Sequence, residues 1–93
     1  MIDEELSEIV REKNGKHIRA LRLLKGLTIE QLAEKAELSN TYLSDLERGK
    51  KDPSVTTLLK ICYALDISSI SQIVKESQTQ VYEIMKERNE EGQ

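Results

Sequence analysis

The stretch "LTIEQLAEKAELSNTYLSDLERGK", residues 27–50, decides how this chain folds. Thr28 is followed three residues later by Gln31. That is the capping-box spacing, in which a Thr hydroxyl and a Gln amide satisfy each other's free backbone donors at a helix start. Leu32, Ala33 and Ala36 then recur at helical spacing. A few residues on, Ser39 offers a second N-cap and Gly49 a terminator. Two short helices separated by a tight turn follow from these residues alone.

The second of these helices has two unlike faces. Rotating about 100° per residue from Asn40 puts Asn40, Thr41, Ser44, Asp45 and Arg48 on one side. Tyr42, Leu43 and Leu46 fall on the other, with Glu47 at the seam. The apolar side suits a core. Short Asn, Thr and Ser side chains let a helix enter the DNA major groove and still hydrogen-bond base edges. A plain solvated face would use the same residues, so the pattern leaves both readings open. The pair of helices, with small Ala33 toward its neighbour, has the helix-turn-helix arrangement.

Working outward, the helical periodicity continues. Ile2, Leu6, Ile9, Val10 and Lys13 share one side of a first helix that is expected to stop at Asn14-Gly15. A second runs from about Lys16 to Lys25, with Ile18, Leu21 and Leu24 inward, and ends at Gly26. After Pro53-Ser54 a further helix reaches Leu65 and is expected to bury Val55, Leu58, Leu59, Ile61, Cys62 and Leu65. Ser68 or Ser69 caps another carrying Ile70, Ile73 and Val74, and the chain stays helix-compatible to about Arg88. No alternating run supports a strand, so the expected class is all-α.

Composition narrows the function. Ninety-three residues suit one domain with a short extension at each end. A chain this small buries only about 60% of its unfolded surface, and without Phe or Trp its core rests on Leu, Ile, Val and Ala. One Cys and one His exclude an intrachain disulfide and a four-ligand zinc site, so no metal and no cofactor are expected. Cys62, in "LLKICYALDI", reads as core, and His17 as a surface residue. No phosphate-cradling Gly loop and no Ser/His/Asp spacing appear, so no catalytic residue is assigned and no enzyme is expected. No apolar run approaches the roughly 20 residues of a membrane span. Acids in "MIDEELSEIV" argue against a secretory leader, and the expected location is the cytoplasm.

The net charge is −3, but its distribution matters more. Residues 1–13 hold two bases and five acids, residues 14–51 eight and five, and residues 52–93 four and seven. Positive charge is concentrated around the two short helices, and a phosphate backbone meets the local surface.

The run from Gly15 to Val74 resembles the Xre-type helix-turn-helix family, which includes the lambda and 434 phage repressors and Cro. The marks are "LT..QLA", "YLSDLERGK", a Pro four residues after Gly49, and "L..I..AL.I....I", all in register. The resemblance implies a five-helix lambda-repressor-like domain, here with extra helical segments at both ends. It divides the chain into an N-terminal amphipathic helix (1–14), a DNA-binding domain (15–74) and a helical tail (75–93).

Residue by residue, the resemblance implies base reading by Asn40, Thr41, Ser44 and Asp45. An Asn pairs with adenine, and an Asp can accept from the cytosine amino group. Lys50 and Lys51 match a phosphate-contacting loop, assisted by Arg48. Thr28 lies where a helix N-terminus favours a phosphate. Arg22 and Glu47 match a structural ion pair that holds the reading helix. Three departures imply modest non-specific affinity: Ile29 stands where Gln is frequent, Glu37 where Gly is frequent, and no base precedes Arg48 within the reading helix.

Proteins of this family commonly bind double-stranded DNA as dimers. Ile70, Val74, Val81 and Ile84, with Ser77 and Arg88, make a heptad-like seam that could pair two chains or pack internally. The N-terminal stripe is a second candidate. Nineteen residues beyond Val74 leave no room for a metabolite pocket. Control by concentration, an antagonist protein or degradation is therefore expected, without a small-molecule effector. The expected function is a dimeric repressor inserting helix 39–47 into a palindromic operator. The alternative is a protein-interaction module, antitoxin-like or anti-repressor-like, that keeps the fold with little DNA binding.

Overall fold

A computed structural model describes residues 3–91 of the chain. Five helices follow one another: α1 Glu4–Leu24, α2 Ile29–Ala36, α3 Asn40–Glu47, α4 Val55–Leu65 and α5 Ser71–Glu91. No strand occurs among the described residues, so the all-α expectation holds. No described helix is long and apolar enough to cross a membrane.

The helix boundaries follow from local chemistry. Asp3, Thr28, Ser39 and Ser54 each accept a hydrogen bond from the backbone N–H three residues on, capping α1 to α4. At Thr28 the capping box is complete, because the Gln31 side chain accepts in return from the Thr28 N–H at 2.9 Å. The first four helices also end alike. The N–H groups of Leu27, Leu38, Lys50 and Ile67 reach back to the carbonyls of Arg22, Ala33, Asp45 and Cys62, around a left-handed residue. That residue is Gly26 or Gly49 in two cases and Glu37 or Asp66 in the others.

The expected stop at Asn14-Gly15 is absent, and α1 runs through both residues, merging the two helices expected there. Gly15 instead marks a close crossing. A Cβ placed on it would lie 2.4 Å from the Leu46 carbonyl oxygen and 2.8 Å from that of Glu47. Asn14 is buried as well, accepting from Ser77 Oγ at 2.8 Å. Packing against α3 and α5 outweighs a helix-breaking preference of roughly 0.5–1 kcal/mol at such a Gly.

The core gathers Ile18, Leu32, Ala33, Ala36, Leu43, Leu46, Leu58, Ile61, Cys62, Ala64, Leu65 and Ile73. Cys62 is a free, buried thiol, and burial pushes its pKa up. Three residues expected inside are outside: Leu24 is 80% exposed, Val55 63% and Leu59 55%. Leu24 is the last residue of α1 and Val55 the first of α4, where no neighbouring helix covers them. Leu59 is turned away because Leu58, Ile61, Cys62 and Leu65 already form the buried side of α4.

The terminal helices pack against each other, antiparallel. Asn14 meets Ser77, and Asp3 and Glu5 meet Arg88, at equal steps along the two helices. Beside the Asn14–Ser77 contact, Lys13 Nζ and His17 Nε2 reach the two Glu76 carboxylate oxygens at 3.0 and 2.6 Å. Lys13 first, then His17, hold the Glu76 carboxyl below its usual range. Arg88, helped by the Leu6 N–H, does the same for Asp3. On α5 the buried positions are Ile73 and Ser77, while Val74, Val81 and Ile84, and Ile70 in the turn before the helix, are half-buried. Leu6, Ile9 and Val10 of the N-terminal stripe are half-buried too, and Ile2 lies outside the described residues.

Candidate nucleic-acid interface

α3 is a helix of eight residues whose inner side is fixed at several points. Leu43 and Leu46 are fully enclosed in the core, and small Ala33 and Ala36 of α2 are buried with them. The turn between α2 and α3 is closed by Glu37 in the left-handed region, φ 57° and ψ 46°, followed by the Ser39 cap.

The end of α3 is held by charge. Arg22 Nε donates to Glu47 Oε2 at 2.7 Å and Arg22 Nη2 to Oε1 at 2.9 Å, a two-point contact between planar groups. Arg22 Nη1 donates to the Leu27 carbonyl at 2.9 Å. Both side chains are buried, and the Glu47 carboxylate raises the Arg22 pKa. No buried side-chain polar atom lacks a partner among the described residues. With Gly15 against the same helix end, α1 sets both the position and the tilt of α3.

Its outer side is free of the core. Asn40 and Thr41 are exposed, and Ser44 and Asp45 partly so. A shallow cleft of about 360 Å³ runs along this side, lined by Asn40, Thr41, Ser44 and Arg48 with Ile29 and Glu30 of α2. Lys50 and Lys51 follow in an exposed turn, and neither ammonium meets a carboxylate among the described residues. Thr28 is exposed at the start of α2. The structure thus brings Asn40, Thr41, Ser44 and Arg48 onto one cleft, with Lys50 and Lys51 in the turn just past α3. Ile70, Val74, Val81 and Ile84 lie apart from them on α5 and in the turn leading into it.

One contact changes the picture of the face. Asp45 Oδ1 accepts from Arg48 Nη2 at 2.9 Å, with the Asp45 side chain 19% exposed and that of Arg48 57%. Sequence reasoning gave the two residues separate roles, although their i,i+3 spacing was a signal for pairing. It also missed Gly15 and the Asn14–Ser77 contact, for which nothing local gives a signal. A larger surface concavity, about 480 Å³, lies elsewhere, between His17 of α1 and α5 residues such as Gln72, Glu76 and Gln80.

Comparison with known proteins agrees with this geometry. The helix-turn-helix family model matches residues 18–73. The immunity repressor protein of Bacillus phage phi105 is 48% identical over 62 residues, covering 67% of this chain and 42% of that protein. The chain spans about half the length of the curated relatives it matches. Among solved structures, the clp gene regulator ClgR from C. glutamicum superposes with a TM-score of 0.69 at 38% identity, over 76% of this chain and 91% of that one. The restriction-modification controller protein C.AhdI from Aeromonas hydrophila gives 0.64 at 37% identity, over 70% and 94%. With its two short helices, capped turn and polar outer face matched over most of its length, the chain belongs to the helix-turn-helix family.

Proposed function

We propose that this chain is a sequence-specific DNA-binding transcriptional regulator, a repressor that inserts α3 into the major groove of its operator. The observation that carries this reading is the outer side of α3. Asn40, Thr41 and Ser44 project from a helix whose other side is locked by Leu43, Leu46 and the Arg22–Glu47 pair. A rigid helix presenting short hydrogen-bonding side chains suits base edges. Lys50, Lys51 and the N-terminus of α2 at Thr28 flank it as phosphate contacts, which fix register without reading sequence. The names of the relatives, an immunity repressor, a gene regulator and a controller protein, support the same reading.

The chain acts as a homodimer on a palindromic site, with half-sites about one helical turn, ~34 Å, apart. The half-buried residues Ile70, Val74, Val81 and Ile84 are the candidate contacts, the first two at the end of the DNA-binding part and the last two in the tail that follows it. It works in the cytoplasm, without enzymatic activity, and is controlled by its own concentration or by an antagonist protein. Selection from a random duplex library, followed by affinity measured against salt, tests this. An inverted-repeat consensus with a steep salt slope is expected. Absence of any enriched sequence, together with a flat slope, would leave a protein-interaction module as the better account.

A further inference from the structure

The Asp45–Arg48 contact sits on the face proposed to read DNA, and its chemistry reassigns both residues. Arg48 is one of the four α3-side residues lining the cleft, next to Ser44. On the helical wheel it falls between Asn40 and Asp45, near the middle of the outer side, while Asp45 falls at the edge. Asp45 is the less exposed of the two, and one of its oxygens is already engaged by the guanidinium. A carboxylate so placed is poorly presented to a cytosine amino group. The guanidinium, by contrast, carries five N–H donors and gives one to Asp45, which leaves an edge for further bonds. The pair is also electrically neutral overall, which weakens Arg48 as a phosphate anchor, since phosphate binding rests on uncompensated positive charge.

Resting on the reading of α3 as the DNA-reading helix, we infer that Arg48 reads a guanine through its O6 and N7, and that Asp45 is the positioning residue that fixes the guanidinium plane. A two-point arginine contact of this kind is the commonest specific contact to guanine. Such a plane is useless if it swings, and the three-residue spacing from Asp45 on α3 to Arg48 at its C-cap brings the two side chains within reach. Each half-site then contains one G·C pair whose recognition depends on two residues at once.

The test uses the full chain and the duplex it selects, with every base pair of a half-site changed in turn. Arg48→Ala and Asp45→Ala are each expected to flatten preference at the same G·C pair. The loss of discrimination there should be roughly 5- to 150-fold, the range of one such contact. The double variant should be no worse than the poorer single variant. A merely structural role for Asp45 would instead weaken binding at every position alike, and that result overturns the inference. So does a uniform loss in Arg48→Ala with a salt slope shallower by about one unit, which is the mark of a phosphate contact. Loss of preference at two different base pairs would mean that Asp45 reads its own base, and would overturn it too. Failure of the unaltered chain to select any duplex would instead sink the DNA-reading proposal itself, and this inference with it.

Discussion

Glu37 shows how a single residue carries a cost that the fold tolerates. It occupies the left-handed region, φ 57°, where a Cβ is disfavoured and Gly is not. Glu37→Gly is therefore expected to stabilise the chain by on the order of 1 kcal/mol, less the extra freedom Gly gives the unfolded state. A denaturant midpoint measures it, and a fall in stability would contradict the assigned geometry. Gly15 is the opposite case. Its absent Cβ makes room for the Leu46 and Glu47 carbonyls, and these are backbone groups that cannot swing aside. Gly15→Ala should destabilise by roughly 1–3 kcal/mol and, where folded, weaken binding to the selected duplex by displacing α3. Glu37 could be identified from sequence because the turn that closes α2 is local. The role of Gly15 could not, since it depends on a partner some thirty residues away, and Asn14-Gly15 carries the local signature of a helix end.

At the scale of elements, the placement of α3 rests on a buried charge pair between it and α1. Removing one partner leaves the other charged and enclosed, so Arg22→Met or Glu47→Leu alone should cost about 3–5 kcal/mol. The double variant replaces the pair by apolar contact, which is often neutral for stability. It is expected to unfold near the parent's midpoint yet bind the selected duplex more weakly, because the two-point contact also orients the helix. Unfolding scans and duplex titrations on the three variants separate these effects. A double variant as unstable as either single one would contradict this account of the pair. The capped turn and both short helices were legible because caps, glycines and apolar spacing act within a few residues. The exposure of Leu24, Val55 and Leu59 was not, because periodicity says which side is apolar without saying whether a neighbour covers it.

For the whole molecule, the first and last helices form one antiparallel pair whose polar contacts run from Asp3–Arg88 to Glu76–His17. Asp3 and Glu76 both have lowered pKa values in the folded chain. Their contribution is fully present above the ordinary carboxylate range, roughly pH 4, and is lost as the pH falls through the lowered values. Acidification below about pH 4 should therefore loosen α1 from α5 before α2 to α4 melt. Amide exchange read along the chain checks this, and uniform loss of protection in all five helices would contradict it. The seam at Val81 and Ile84 was legible as an apolar stripe, but its closeness to the chain's own N-terminal helix depends on pairs such as Asn14–Ser77. The claim on which everything else depends is that the outer side of α3 faces DNA. Amide chemical-shift mapping with the selected duplex tests it most directly. The largest shifts are expected in residues 40–51 and at Thr28, with residues 4–8 little changed. Silence in α3, with shifts gathered around exposed Val55, Leu59 and Tyr63 of α4, would contradict it.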